Sequence, residues 1–502
     1  MTTYPTDAYR ADIDGLRAVA VLAVVGSHAG VPFLGGGWVG VDIFFVISGY
    51  LITSILHREL SEDRFSFPRF YYRRARRILP ALLLVLTATL VAGYFVLLPR
   101  DYRELGVTAR AAGLFFPNFY FAAQTGYFDI ARNLKPLLMT WSLGVEEQFY
   151  AAFPLVMFAL HKLRARKWLW LGIGLAASLA WCIHAVPQDP KANYFLPQFR
   201  AWELLTGACL VWLPRHSARR QGIDNALSVG GLALIGYAVF TLSDHALFPG
   251  WLAVPPVLGT ALLIRAGKGA WVNRLLALRP LVFVGAISYA LYLWHWPLLS
   301  FAYHLRPAND LPLSITLPLM GIAALLAAVS TFGMELPLRR GTTARPFRAL
   351  VAYAVATLAV VSLGHNVSVR RGLPERLPPA IHTALTRREQ DHIPRFQDCE
   401  LDQPNGTQNR MGSQCPEPGR HRNTIFVWGD SHARAIAPGF ADWARVHGWA
   451  YALYAEPGCT PLPGTERTAS AGVVGWTECE PVIRRGWEYA RDNSDVKIVV
   501  IA

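Results

Sequence analysis

Charge is scarce in this chain. Only 16% of its 502 residues are Asp, Glu, Lys or Arg while 53% are hydrophobic, a balance that excludes a soluble protein of this length and indicates an integral membrane protein. Acidic residues are scarcer than basic ones, 34 against 48. The resulting net charge of +14 does not describe a nucleic-acid surface, because the Lys and Arg fall in short loops between apolar runs. The phosphate-cradling pattern G-x-x-x-x-G-K-[ST] is missing, and so is metal-ligand spacing, so neither ATP-driven chemistry nor a metal cofactor is expected. No internal repeat is visible, which weighs against inverted-repeat transporters. Of only six Cys, Cys182 and Cys209 lie in apolar runs as inert packing residues. Cys399, Cys415, Cys459 and Cys479 lie in a polar tail where disulfides can form. Proximity suggests Cys399 with Cys415 and Cys459 with Cys479, among the three connectivities that four cysteines allow.

What is abundant is apolar length. Runs near the roughly 20 residues that cross hydrocarbon cover 13–31, 38–57, 78–98, 143–160, 168–186, 197–213, 227–242, 251–265, 281–301, 312–333 and 348–364. The expected architecture is a polytopic α-helical membrane protein with about eleven spans. Basic connections (RFYYRRARR, HKLRARK at 161–167, PRHSARR at 214–220, 265–280 and 339–348) all fall on one side, and intervening loops such as PQDPKANYFLPQ carry few positive charges. The N-terminus is then cytoplasmic and everything after residue 364 exported. Residues 105–122 are apolar enough for a further span, but counting them would move every later basic loop outside, so they read as a re-entrant or interfacial helix. The length and charges of the first span argue against a cleaved signal peptide. Four regions follow: a membrane domain over 1–340, a linking transmembrane helix over 341–364, an exported linker over 365–423, and the start of an α/β domain over 424–502. In the last, IFVWGDSH, AIAPGFADWARVHG, AYALYAEPG and VKIVVIA read as strand, helix, strand and a further buried strand.

An ionisable group inside a span is costly unless paired or hydrated, which makes each one a functional candidate. Arg17 and His28 stand in the first span with Asp14. They are eleven residues apart, about three turns and roughly 16 Å, hence on one face. That face either supports proton transfer, which suits an imidazole, or holds a snorkelling arginine and an interfacial histidine. Asp42 is a partner for His28 or a charge complementing its helix dipole. Glu146 and Glu147 point about 100° apart, so only one can face a given centre. Arg200 and Glu203, three apart, form a structural helical ion pair. His295 sits among Tyr289, Trp294 and Trp296; an aromatic belt accounts for the neighbours but not for the imidazole. Arg73, Arg76 and Arg77 share a face at the cytoplasmic start of the third span, where they grip phosphates bidentately or serve as a positive-inside anchor.

In the tail, Gly429-Asp430-Ser431-His432 follows a strand. Ser431 then stands where strand turns into helix, its hydroxyl exposed beside backbone N–H groups able to form an oxyanion hole. Asp430 orients the turn. His432 is poorly placed to deprotonate its own neighbour, so a base must come from elsewhere. The alternative is a plain hydrophilic turn.

DIDGLRAVAVLAVVGSH, GGWVGVDIFFVISGYLIT, FYYRRARRILPA, TWSLGVEEQFY, FRAWELLTG, ISYALYLWHWP and MELPLRR together resemble the acyltransferase-3 membrane domain, and GDSH resembles the first block of an SGNH esterase-type domain. The combination is similar to the fused acyltransferase-3/SGNH proteins that O-acetylate bacterial surface polysaccharides such as lipopolysaccharide O-antigen. The resemblance implies a bacterial inner-membrane protein with a periplasmic SGNH-like domain, acetyl-CoA as cytoplasmic donor, and a polysaccharide or lipid-linked glycan as acceptor. It matches the family's essential Arg and His to Arg17 and His28. Its Arg-x-x-Arg motif matches Arg73 with Arg76 or Arg74 with Arg77. Its serine matches Ser431, and the glycine of the second SGNH block matches Gly458. An SGNH domain also needs an Asn block and a late Asp-x-x-His, and the sequence reaches Ala502 before either. The expectation is a truncated exported domain, incompletely folded and unable to perform serine catalysis.

These readings combine into a relay. The Arg73 to Arg77 cluster and Arg17 hold the cofactor's phosphates, and its pantetheine arm enters the bundle toward His28. His28 acts as general base or transient acyl carrier, with Asp42 or Glu146/Glu147 setting its protonation. The acetyl group emerges outside and, in a complete protein, reaches Ser431 and then a sugar hydroxyl. One rival is a transporter of an acylated lipid or sugar; another is an acyltransferase acting on peptidoglycan or a small glycoside.

Overall fold

The computed structural model describes residues 9–124, 131–213, 221–243, 246–306, 311–340, 346–379, 381–382, 423–429, 431–455 and 479–501. They form two compact units, Met1–Pro374 and Glu375–Ala502.

The first unit is helical. Its elements are α1 (Ala11–His28), α2 (Gly40–Ser61), α3 (Phe67–Val96), α4 (Pro99–Gly113), α5 (Pro117–Ala123), α6 (Thr140–Lys162), α7 (Lys167–Ala185), α8 (Pro190–Phe195) and α9 (Pro197–Cys209). There follow α10 (Gln221–Thr241), α11 (Val254–Ala266), α12 (Trp271–Leu276), α13 (Arg279–Leu305), α14 (Leu313–Val329), a π-helical stretch Ser330–Glu335, α15 (Leu336–Arg340) and α16 (Pro346–Val369). Every apolar run of the sequence is helical, but among the described residues eight helical stretches are long and apolar enough to cross a membrane, against the eleven expected. Three runs fall short for physical reasons. The α1 helix carries Asp12, Asp14 and Arg17 in its first turns. Helices α9 and α11 have 13 residues each, about 20 Å of rise against roughly 30 Å of hydrocarbon. Residues 105–122 are not a span: the chain breaks at Phe115, whose φ is 60°, between α4 and α5. The helix expected as a link is a member of this unit, since α16 packs on α4 with Gly364 against Gly106.

Close backbone approach fixes the helices that matter for the site. A Cβ at Gly285 of α13 would lie 1.9 Å from the Asp14 carbonyl oxygen of α1, and one at Gly15 would lie 1.8 Å from the Leu276 carbonyl oxygen. Small residues of this kind let membrane helices touch where apolar burial gives no preference over lipid. Helices α1 and α13 run parallel, Gly285 beside Asp14 and His295 beside His28.

The second unit contains a three-stranded parallel sheet of order β2-β1-β3, with β1 Thr424–Gly429, β2 Ala450–Ala455 and β3 Val496–Ile501. Helix α17 (Ser431–His447) joins β1 to β2, and α18 (Cys479–Asp492) precedes β3. Ile425, Val427 and Leu453 pack on Ala433, Ala437 and Ala444 of α17. On the other face Phe426, Trp428 and Tyr454 pack around Ile483 of α18. Strand β3 is not the buried strand that VKIVVIA suggests. It lies at the sheet edge, with Ile498, Val499 and Ile501 exposed by 39%, 41% and 52%.

Candidate active site

Helix α1 ends on His28. Its Nδ1 lies 3.0 Å from Nε2 of His295, a residue fully buried midway along α13. The rings are nearly parallel, with centroids 5.3 Å apart and planes 7° apart, and meet nitrogen to nitrogen, while Trp296 meets His28 edge-on at 4.6 Å. Nδ1 of His295 lies 3.2 Å from the Leu291 carbonyl oxygen one turn earlier. Arg132 lies within electrostatic reach of His28.

Further along the bundle, Glu146 of α6 accepts hydrogen bonds from the Ser48 hydroxyl of α2 and, at 2.8 Å, from the Tyr150 hydroxyl. Glu147 turns to a different side, within electrostatic reach of Arg74 and Arg77, and its Oε1 is buried without a hydrogen-bond partner among the described residues. The divergence of adjacent helical residues expected from the sequence is thus realised. Tyr292 joins α13 to α6 through the Ser142 hydroxyl at 2.8 Å and the Met139 carbonyl oxygen at 3.0 Å.

At the other end stand the arginines. Arg17 pairs with Asp14 at 3.4 Å and lies within electrostatic reach of Arg77 and Glu146. Arg73 turns away from it and donates to both carboxylate oxygens of Glu59, at 2.7 and 3.0 Å. Arg76 donates to the Arg339 carbonyl oxygen and lies over the Tyr72 ring. Arg74 instead lies over the Phe70 and Tyr150 rings, its Nε buried without a partner, and Arg77 makes no hydrogen bond or ion pair among the described residues. Of the two Arg-x-x-Arg registers, Arg74 with Arg77 therefore faces Arg17 and Glu147, while Arg73 and Arg76 are engaged elsewhere. Arg339 of α15 joins the group, within electrostatic reach of Arg76, Arg77, Glu335 and Asp14.

Asp42 is not a partner for His28. It lies in the first turn of α2, where an acid complements the dipole, and it accepts from Arg200 at 2.8 Å. Arg200 also meets Glu203 at 2.8 Å, the ion pair expected from their spacing. All three are at most 1% exposed. Rings of Phe45, Trp141, Tyr194 and Phe248 surround the guanidinium at 5.3 to 5.7 Å. His295, marked in the sequence as an imidazole that its aromatic neighbours do not account for but given no role there, is the residue that meets His28.

In the second unit, β1 does end at Gly429 and α17 does begin at Ser431. Asp430 and Gly458 lie outside the described residues, as does the Ser431 side chain. The disulfide expectation also falls outside them, on Cys399, Cys415, Cys459 and the side chain of Cys479. Cys182 and Cys209 are free thiols packed among helices.

An acyltransferase domain family, acyltransferase-3, matches residues 10–333, well over half of the chain, including the helices that carry Arg17, His28, Arg74, Arg77, Glu146, Glu147 and His295. The chain belongs to the acyltransferase-3 family. The SGNH domain found fused to acyltransferase-3 domains matches residues 396–502. Among curated relatives of this acyltransferase-3 chain, the peptidoglycan O-acetyltransferase OatA of Listeria monocytogenes is 30% identical over 408 residues, 72% of this chain and 64% of that protein. The O-acetyltransferase OatA of Staphylococcus aureus is 30% identical over 351 residues, 66% of this chain and 57% of that protein. BcsY of Komagataeibacter xylinus, named as a candidate membrane-bound transacylase, is 32% identical over 368 residues, 72% of this chain and 92% of its own. The matches span less than two thirds of either OatA relative. No solved structure matches the chain.

Proposed function

We propose that this chain is a membrane O-acetyltransferase that moves an acetyl group from cytoplasmic acetyl-CoA to a hydroxyl of an exported polysaccharide at the bacterial inner membrane. The observation that carries the reading is the sharing of α1 by two unlike groups, with Arg17 among arginines at one end and His28 beside His295 at the other. Arg17, Arg74 and Arg77 bind the phosphates of the donor through charge-assisted hydrogen bonds. His28 is the general base. Its Nε2 takes the proton of the attacking hydroxyl as the oxygen–carbon bond forms. The carbon–sulfur bond then breaks and the leaving thiolate takes that proton from Nε2, so the ring ends as it began. The free energy comes from the thioester. In a protein whose SGNH domain is complete, the tail with Ser431 at the start of α17 is the receiving module, its serine accepting the acetyl group before the glycan does.

For the acceptor, the name of the Listeria relative favours peptidoglycan, and the overall resemblance favours an O-antigen-type lipopolysaccharide. Inverted vesicles from cells expressing the chain, supplied with labelled acetyl-CoA and separated into peptidoglycan, lipid-linked glycan and lipopolysaccharide fractions, distinguish them. Label in one glycan fraction with stoichiometric CoA release is expected. Label crossing the membrane without CoA release would instead establish transport.

A further inference from the structure

We propose that His295 is a positioning residue for acyl transfer: it fixes the tautomer of His28 so that His28 presents a bare Nε2 to the reacting groups. Two contacts link the Leu291 carbonyl oxygen to His28 through the His295 ring. The Leu291 carbonyl oxygen can only accept, so Nδ1 of His295, 3.2 Å away, carries a hydrogen. In a neutral imidazole the other nitrogen is then an acceptor. That nitrogen, Nε2, lies 3.0 Å from Nδ1 of His28, so His28 donates from Nδ1. Its remaining nitrogen holds a lone pair and makes no hydrogen bond among the described residues. A backbone carbonyl on α13 therefore decides the state of a ring on α1, with the assignment fixed by the hydrogen-bond network.

Packing holds these contacts in place. His295 is fully buried between Tyr292 and Trp296, with ring centroids 5.5 and 6.4 Å away. Gly285 keeps α13 in backbone contact with α1 below, and Gly15 keeps α1 against the end of α12. The usual orienter of a catalytic histidine is a carboxylate, yet no acidic side chain hydrogen-bonds either ring among the described residues. Asp42 is committed to Arg200, Glu146 to Ser48 and Tyr150, and Asp14 to Tyr9 and Arg17. A neutral ring performs the orienting task without placing an additional charge in the bundle, where an ion is expensive. During transfer the proton from the acceptor hydroxyl enters and leaves at Nε2 of His28, and His295 keeps its own proton throughout.

This inference rests on the acyl-transfer reading, and its test separates the two. The full chain is reconstituted in proteoliposomes with ¹⁵N-labelled histidine, and His28 signals are assigned by difference from His28→Ala. The expected parent spectrum shows His28 with a pyrrole-type Nδ1 and a pyridine-type Nε2. In His295→Phe, which keeps a ring but removes both nitrogens, the two His28 tautomers become mixed. There kcat for acetyl transfer falls on the order of tenfold to hundredfold, while KM for acetyl-CoA stays at the parental value. His295→Gln, whose side-chain oxygen can accept from His28 Nδ1, recovers most of kcat and the parental His28 spectrum. A pyridine-type Nδ1 in parental His28, or an unchanged His28 spectrum in His295→Phe, overturns the inference even if transfer requires His28. Parental transfer by His28→Ala removes the functional reading itself, whatever the tautomer.

Discussion

Two kinds of arginine environment occupy the helical unit, one fully buried and one half-buried, and their surroundings differ. Arg200 is enclosed: two carboxylates and four aromatic rings take up its guanidinium, and it is 1% exposed. Arg74 and Arg77 stand near one another and near Arg17 without an ion pair of their own among the described residues. Ionisable groups in spans are functional candidates by default, and what separates these two sets is the balance of charge around them. An arginine whose charge is met by two carboxylates at ion-pair distance holds helices together, while arginines that lie within electrostatic reach of one another favour an additional anion. The first arrangement ties α2 to α9; the second is where the proposed function places the polyanionic donor.

The largest effect is expected where the enclosed site is broken. Arg200→Ala leaves Asp42 and Glu203 uncompensated and should cost about 3–5 kcal/mol, seen as a fall in thermal unfolding temperature of the detergent-purified chain. Replacing Arg200, Asp42 and Glu203 together by apolar residues of similar volume should restore most of that stability. If the single variant is as stable as the parent, the structural reading of this cluster fails.

The open site should respond in a different quantity. Arg77→Ala is expected to raise KM for acetyl-CoA roughly tenfold to hundredfold, the loss of one charge-assisted phosphate contact, with an unchanged unfolding temperature. Arg77→Lys should recover part of this only, since a point charge lacks the guanidinium fork. Measuring both KM and unfolding temperature on each variant keeps the two kinds of arginine apart.

The smallest effect belongs to Arg73, held by Glu59 at the rim with side-chain exposures of 31% and 16%. Arg73→Ala should cost about 1 kcal/mol or less and leave KM near the parental value. A large KM effect at Arg73 with none at Arg74 would reverse the assignment of the Arg-x-x-Arg register.

Much of this was legible in the sequence, because apolar length and charge asymmetry act locally. Each apolar run became a helix, and Arg17 and His28 were placed on one face by helical geometry alone. The span count was not legible: hydropathy does not show that α9 and α11 stop after 13 residues. Nor was the arginine register, since Arg73, Arg74, Arg76 and Arg77 read alike until Glu59 and the Arg339 carbonyl fix the rotation of α3. The decisive pairings join distant segments. His28 meets His295 267 residues away, and Asp42 meets Arg200 158 residues away. No local pattern encodes either one; of the two readings open for Asp42, the helix-terminal charge holds and the pairing with His28 does not.

The most direct test of the account is the rate of labelled acetyl transfer in inverted vesicles across a range of acetyl-CoA concentrations. Three forms are compared: the parent chain, His28→Ala, and the double variant Arg74→Ala/Arg77→Ala. The account predicts that His28→Ala transfers no acetyl group at any concentration, while the double variant approaches the parental rate as acetyl-CoA is raised. Parental transfer by His28→Ala, or an unchanged concentration dependence in the double variant, would contradict it.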